Sequence, residues 1–149
     1  MYRIDGAIDE NKIISMLGEP IEKKEWSESD SQEPGLSNRY KSSIYEGLEI
    51  ITVSPLVGNG KKIWLNRIRL KSSNYVLVGG LRIGQPINDF MDKLGIKNGM
   101  YDKDTDKIKL TASGNENIDG VSFAGHATVT IGISKSGKVT SVEWEYWAD

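Results

Sequence analysis

Apolar positions along this chain follow two different periods, and the alternation between them sets out the elements. Ile13, Ile14 and Leu17 share one face at helical spacing, with Ile8 near the start. Asp9 is the expected N-cap, although Lys12 stands where a capping box would have Glu. Gly18 and then Pro20 stop the segment. Residues 22–37 are polar, and predict a short strand near Trp26 followed by an exposed loop. Asn38 to Tyr45 and Leu48 to Ser54 predict two strands joined at Glu46-Gly47. A loop over Pro55 to Gly60 leads to a third strand, Lys61 to Leu70, and Tyr75 to Val78 predicts another extended piece.

The helical period then returns. Gln85-Pro86 opens a second helix, since proline is favoured in a first turn where its missing donor costs nothing. Ile87, Phe90, Met91 and Leu94 form its apolar face, and Gly95 ends it. Residues 97–107 are a charged turn region, Ile108 to Thr111 a short strand, and Ser113 to Gly120 a loop. Strands follow at Val121 to Phe123, Thr128 to Ser134 and Val139 to Trp147, the last two joined by the turn Lys135-Ser136-Gly137-Lys138. A short amphipathic helix stopped at Leu-Gly, followed by β-type runs, thus occurs twice. The expectation is an α+β protein of two similar modules, residues 1–78 and 79–149, each a short helical segment packed on an antiparallel sheet and sharing one compact unit.

Alternation also assigns faces. In the final strand Val142, Trp144 and Tyr146 point one way, and Glu143, Glu145 and Trp147 the other. In the third strand Ile63 and Leu65 oppose Trp64 and Asn66 in the same manner. One face of such a sheet must cover the helices, which leaves the other to meet a partner.

Composition excludes several classes. With 38% hydrophobic and 27% charged residues the chain is too apolar for disorder and too polar for a membrane protein. It has no apolar run long enough to span a bilayer, and its first residues lack the apolar core of a secretory signal. The absence of cysteine removes disulfides, thiolate metal sites and a cysteine nucleophile. Net charge is −2 but uneven: −5 over residues 1–36, +6 over 37–84 and −3 over 85–149. No dominant basic field is present, so nucleic acid is not an expected partner, whereas acidic ends suit a basic protein.

Candidate chemistry is sparse. Asp102, Asp104 and Asp106 begin a calcium-loop pattern, but Lys107 replaces the turn glycine and Ser113 the bidentate glutamate. Val57 to Lys62 lacks phosphate-loop spacing, and Gly79 to Gly84 lacks the dinucleotide spacing. His126 is the single histidine, and no nucleophile-elbow sequence accompanies it. Glu143 and Glu145 share a strand face, and among aromatics they read as an acidic recognition strip rather than an acid–base pair. No metal, cofactor or catalytic residue is expected.

The segment Ile13-Ile14-Ser15-Met16-Leu17-Gly18-Glu19-Pro20 followed by Trp26 resembles the first module of the beta-lactamase inhibitor protein-like superfamily. So does Gly80-Leu81-Arg82-Ile83-Gly84-Gln85-Pro86 leading to Phe90 and Leu94-Gly95. The resemblance implies tandem helix-on-sheet modules whose open sheet face and loops bind another protein. The superfamily includes secreted beta-lactamase inhibitors and envelope lipoproteins of the outer-membrane assembly machinery. This chain departs from it in having neither the inhibitors' cysteines nor a lipobox.

A Met-initiated, cysteine-free, mildly acidic chain on that scaffold is expected to be a cytoplasmic, non-catalytic inhibitor. The expected role is that of an immunity protein covering the active site of a basic bacterial toxin domain, such as a nuclease of a contact-dependent growth inhibition system. The alternative expectation is an envelope lipoprotein domain without its leader. The partner-binding residues read from the chain are Trp144, Tyr146, Trp147, Glu143 and Glu145 on the last strand, with Glu28, Asp30 and Glu33 on the acidic loop.

Overall fold

One row of side chains explains the architecture. Tyr45, Leu48, Leu70, Val142, Ile131 and Ile108 stand opposite one another on six consecutive strands of a single sheet. All six are buried, from 8% exposure at Leu48 to none at Ile108. Burying each such side chain is worth about 1.5–3 kcal/mol, so this row fixes the register of the whole sheet. The computed structural model describes residues 10–29, 37–55, 63–95, 101–102, 106–113, 117–118, 121–122 and 126–147.

The elements are α1 (Glu10–Leu17), β1 (Glu22–Ser29), β2 (Ser37–Tyr45), β3 (Leu48–Pro55), β4 (Trp64–Leu70), α2 (Ile87–Leu94), β5 (Tyr101–Asp102), β6 (Lys107–Ser113), β7 (Asn117–Ile118), β8 (Val121–Ser122), β9 (His126–Ile133) and β10 (Val139–Trp147). Eight strands form one sheet in the order β1-β2-β3-β4-β10-β9-β6-β5, and β7 pairs with β8 separately. Every pairing is antiparallel. The chain is therefore α+β, dominated by an antiparallel sheet with two short helices. Among the described residues no helix is long and apolar enough to cross a membrane.

Both helices lie on the side of the core row. Ile13 and Leu17 of α1, with Ile87 and Met91 of α2, pack against the buried cluster, and Phe90 of α2 is itself 1% exposed within it. The Leu-Gly stops act as the pattern predicts. The Gly18 N–H donates to the Ile14 carbonyl at 2.7 Å, and Gly95 adopts a left-handed conformation at φ 65° while its N–H donates to the Met91 carbonyl. The start of α2 is clipped to the β9–β10 hairpin: the Ile87 N–H donates to Gly137 and the Gly84 N–H to Val139, while the Val139 N–H donates to Gln85. At α1, the Tyr45 hydroxyl donates to the Gly18 carbonyl at 3.1 Å.

Several elements differ from the sequence expectation. The polar stretch read as a short strand and loop holds an eight-residue edge strand, β1, with every residue exposed. Tyr75 to Val78 joins no ladder: Tyr75 lies in a bend, Leu77 is extended at φ −88° and ψ 172°, and Val78 opens a 3₁₀ turn, Val78–Gly80, in which Gly79 and Gly80 both sit at φ 77°. Strand β4 begins at Trp64, and residues 61 and 62 lie outside the described set. Part of the charged turn region pairs, with Tyr101–Asp102 opposite Ile108 and Lys107, and the turn at Asp106 adopts φ 51°. Asn117 and Ile118, expected in a loop, pair with Ser122 and Val121.

Candidate functional site

Among the described residues one face of the sheet bears no helix, and this helix-free face carries the chemistry. Its residues follow from register: Glu22, Lys24, Trp26 and Glu28 on β1 stand opposite Ile44, Ser42, Tyr40 and Asn38 on β2. Across β3, β4 and β10 the same rows continue as Glu49–Arg69–Glu143 and Ile51–Arg67–Glu145. A third row runs Trp26–Tyr40–Val53–Trp64. A register shift between Ile51 and Thr52 brings Trp64 onto this face two rows' length from Arg69. Ser42, Ile51 and Val53 are buried here although both helices lie on the other side, set among the long side chains of Tyr40, Trp64 and Arg67.

The two charged rows join into one ladder. The Ser42 hydroxyl donates to Glu49 Oε1 at 2.6 Å, and Arg69 Nη1 donates to Glu49 Oε2 at 3.2 Å. Arg69 Nε donates to Glu143 Oε2 at 2.8 Å, Arg67 Nε lies 3.9 Å from Glu143 Oε1, and Arg67 Nη2 donates to Glu145 Oε1. Burial opposes the charge on Glu49, but hydrogen bonds from Ser42 and Arg69 outweigh it and hold the carboxyl below its ordinary value of 4.5. Burial likewise disfavours charged Arg69, and its bonds to Glu143 and Glu49 override this, so its pKa rises. Glu49 is thus a persistent anion and a poor proton donor near neutrality.

The aromatic row has a different character. Trp26 and Tyr40 stack with ring centroids 5.5 Å apart and planes 11° from parallel. The Trp26 indole Nε1 donates to Glu28 Oε1 at 3.1 Å, which orients the ring. Trp26 is 36% exposed, and Tyr40 and Trp64 are half-buried. Among the described residues no cluster of His, Cys, Asp and Glu could hold a metal ion.

The residues singled out from sequence are divided by this geometry. Glu143, Glu145 and Glu28 lie on the helix-free face, but Glu143 and Glu145 are already engaged by arginines of β4. Trp144 packs against the core cluster on the helix side, next to buried Val142. Tyr146 and Trp147 stand opposite Ala127 and His126 at the end of β10, and their side chains lie outside the described set. Asp30 and Glu33 lie outside the described residues. Sequence reasoning did not select Arg67, Arg69 or Trp64. The signal for the first two was the Arg-Ile-Arg alternation facing Glu-Trp-Glu, which acquires meaning only once β4 and β10 are neighbours.

Scanned against protein-family models, and compared with curated proteins and with solved structures, the chain matches none.

Proposed function

We propose that this protein is a non-catalytic, protein-binding inhibitor, an immunity protein that neutralises a basic bacterial toxin domain by covering its active site in the cytoplasm. The observation that carries the reading is the helix-free face, where half-buried aromatics adjoin a carboxylate-rich ladder on a broad antiparallel sheet. Aromatic anchors bounded by polar groups are the composition of energetic centres in protein interfaces. The reading includes a repeated unit: α1 precedes β1–β4, and α2 precedes β5, β6, β9 and β10, with the two sets joined where β4 meets β10. Residues 1–78 and 79–149 would then be two modules of one scaffold, as the beta-lactamase inhibitor-like resemblance implies.

The test is recovery of a stoichiometric partner from the source bacterium, together with the sequence of the adjacent gene. A complex with the C-terminal region of a large neighbouring exoprotein, whose toxicity the protein abolishes in co-expressing cells, supports the proposal. A leader peptide ending in a lipobox cysteine, with no such partner, replaces it with the envelope lipoprotein reading.

A further inference from the structure

We infer that the helix-free face is anchored on the aromatic row, and that it takes a protein segment presenting apolar side chains between two separated cationic ones. This deepens the inhibitor reading and rests on it for the claim that the natural ligand is a protein. The ladder cannot be the anchor, because both carboxylate oxygens of Glu49 and of Glu143 are already engaged, the first by Ser42 and Arg69 and the second by Arg67 and Arg69. A partner's lysine would have to displace those guanidinium groups, gaining one pair by breaking another. Trp26, Tyr40 and Trp64 are only partly covered, so a partner can bury the surface they expose.

The charge that remains uncompensated brackets this row. Three carboxylates face two guanidinium groups in the ladder, and at Glu145 only Oε1 meets an arginine, so the one uncompensated negative charge lies toward that end. On β1, Lys24 lies 3.7 Å from Glu22, whereas Glu28 has no cationic partner among the described residues and accepts only from the Trp26 indole. Glu28 and Glu145 sit on strands four inter-strand steps apart and two rows apart on either side of the aromatic row. At ~4.8 Å per strand and ~3.3 Å per residue, they are separated by about 23 Å. Between them Trp26 to Trp64 spans ~14 Å of apolar surface. A complementary segment therefore carries cations roughly 20 Å apart, which six steps of an extended chain supply, with apolar groups between them. Arginine suits both ends, since its guanidinium pairs with a carboxylate while its plane lies on an indole.

The probe is the heptapeptide Ac-Arg-Gly-Leu-Gly-Leu-Gly-Arg-NH₂, titrated to 5 mM into the full chain while the indole N–H resonances are followed by NMR. The expected result is saturable shifts at Trp26 and Trp64, none at the core-packed Trp144, and binding weakened about tenfold by Trp64→Ala. Trp64→Phe should retain most of the binding and guards against misfolding as the cause. Glu28→Gln should weaken the peptide about threefold, and the same peptide with Glu at both ends should not bind. No shift at Trp26 or Trp64, or equal binding of the Glu-ended peptide, overturns the inference. If a toxin partner is captured but is indifferent to Trp64→Ala and Glu28→Gln, this surface is wrong while the inhibitor reading stands. If the peptide binds as expected and no toxin is neutralised, the surface stands and the inhibitor reading falls.

Discussion

Replacing Arg69 by Met tests whether the ladder stabilises the sheet through charge. Arg69 makes two charge-assisted hydrogen bonds, at 2.8 Å to Glu143 and 3.2 Å to Glu49, from a side chain that is 39% exposed. Such bonds are worth about 1.5–3 kcal/mol each when buried, and solvent at this exposure reduces the pair to roughly 1–2 kcal/mol together. Removing the cation also leaves Glu49 and Glu143 facing each other across β4, some 9–10 Å apart, which adds about 0.4 kcal/mol in a water-like dielectric. Methionine keeps the aliphatic bulk, so packing changes little.

The pH dependence separates charge from packing. In the folded protein Glu49 titrates below its ordinary value of 4.5, so its contribution is fully present above that value and is lost as pH falls through the folded-state one. Denaturant unfolding from pH 7 to pH 3 should therefore show a wild-type advantage of about 1.5–2.5 kcal/mol at pH 7 that holds down to pH 4.5 and shrinks only below it. An unchanged difference at pH 3 would refute the electrostatic account and assign the loss to packing. No difference at pH 7 would show that the pairs merely offset their own desolvation.

Two further substitutions probe the scaffold. Phe90→Ala removes a side chain that is 1% exposed beneath α2, and should cost about 3–5 kcal/mol in the same unfolding assay, with any loss under ~1 kcal/mol contradicting the core assignment. Gly47→Ala places a Cβ 2.5 Å from the Ser72 Cβ at a backbone φ of 69°, and should lower stability by about 1–3 kcal/mol, measured as a fall in Tm; an unchanged Tm would mean that the β2–β3 turn and the chain after β4 are not in contact.

What the sequence made legible depended on where each signal resides. The α2 face and its Gly95 stop are local, as is the Lys135 to Lys138 turn, and all three form at the expected places. Strand β1 was under-read because none of its residues is buried on either face, so it carries no apolar alternation. It exists through its ladder to β2, aided by pairs such as Trp26–Tyr40 and Arg39–Glu25. The face assignment on β10 is correct in parity for Val142 to Glu145, but parity alone does not say which face the helices cover. Buried Val142 settles it, and with it the place of Trp144. Glu143 and Glu145 were visible as carboxylates, yet their partners are some seventy residues away in the chain and emerge only from strand order.

The seam between β4 and β10 has a consequence for how the protein is made. Strand β4 leaves the ribosome before β10, so any sheet that β1–β4 form during synthesis ends at β4 until its neighbour arrives. That waiting edge would be open to pairing with another nascent copy, were it not for Arg67 and Arg69, whose like charges repel an identical strand laid beside it. When β10 arrives, its Glu143 and Glu145 meet those arginines in one register. The residues that guard the unfinished sheet are thus the ones that recognise its completion.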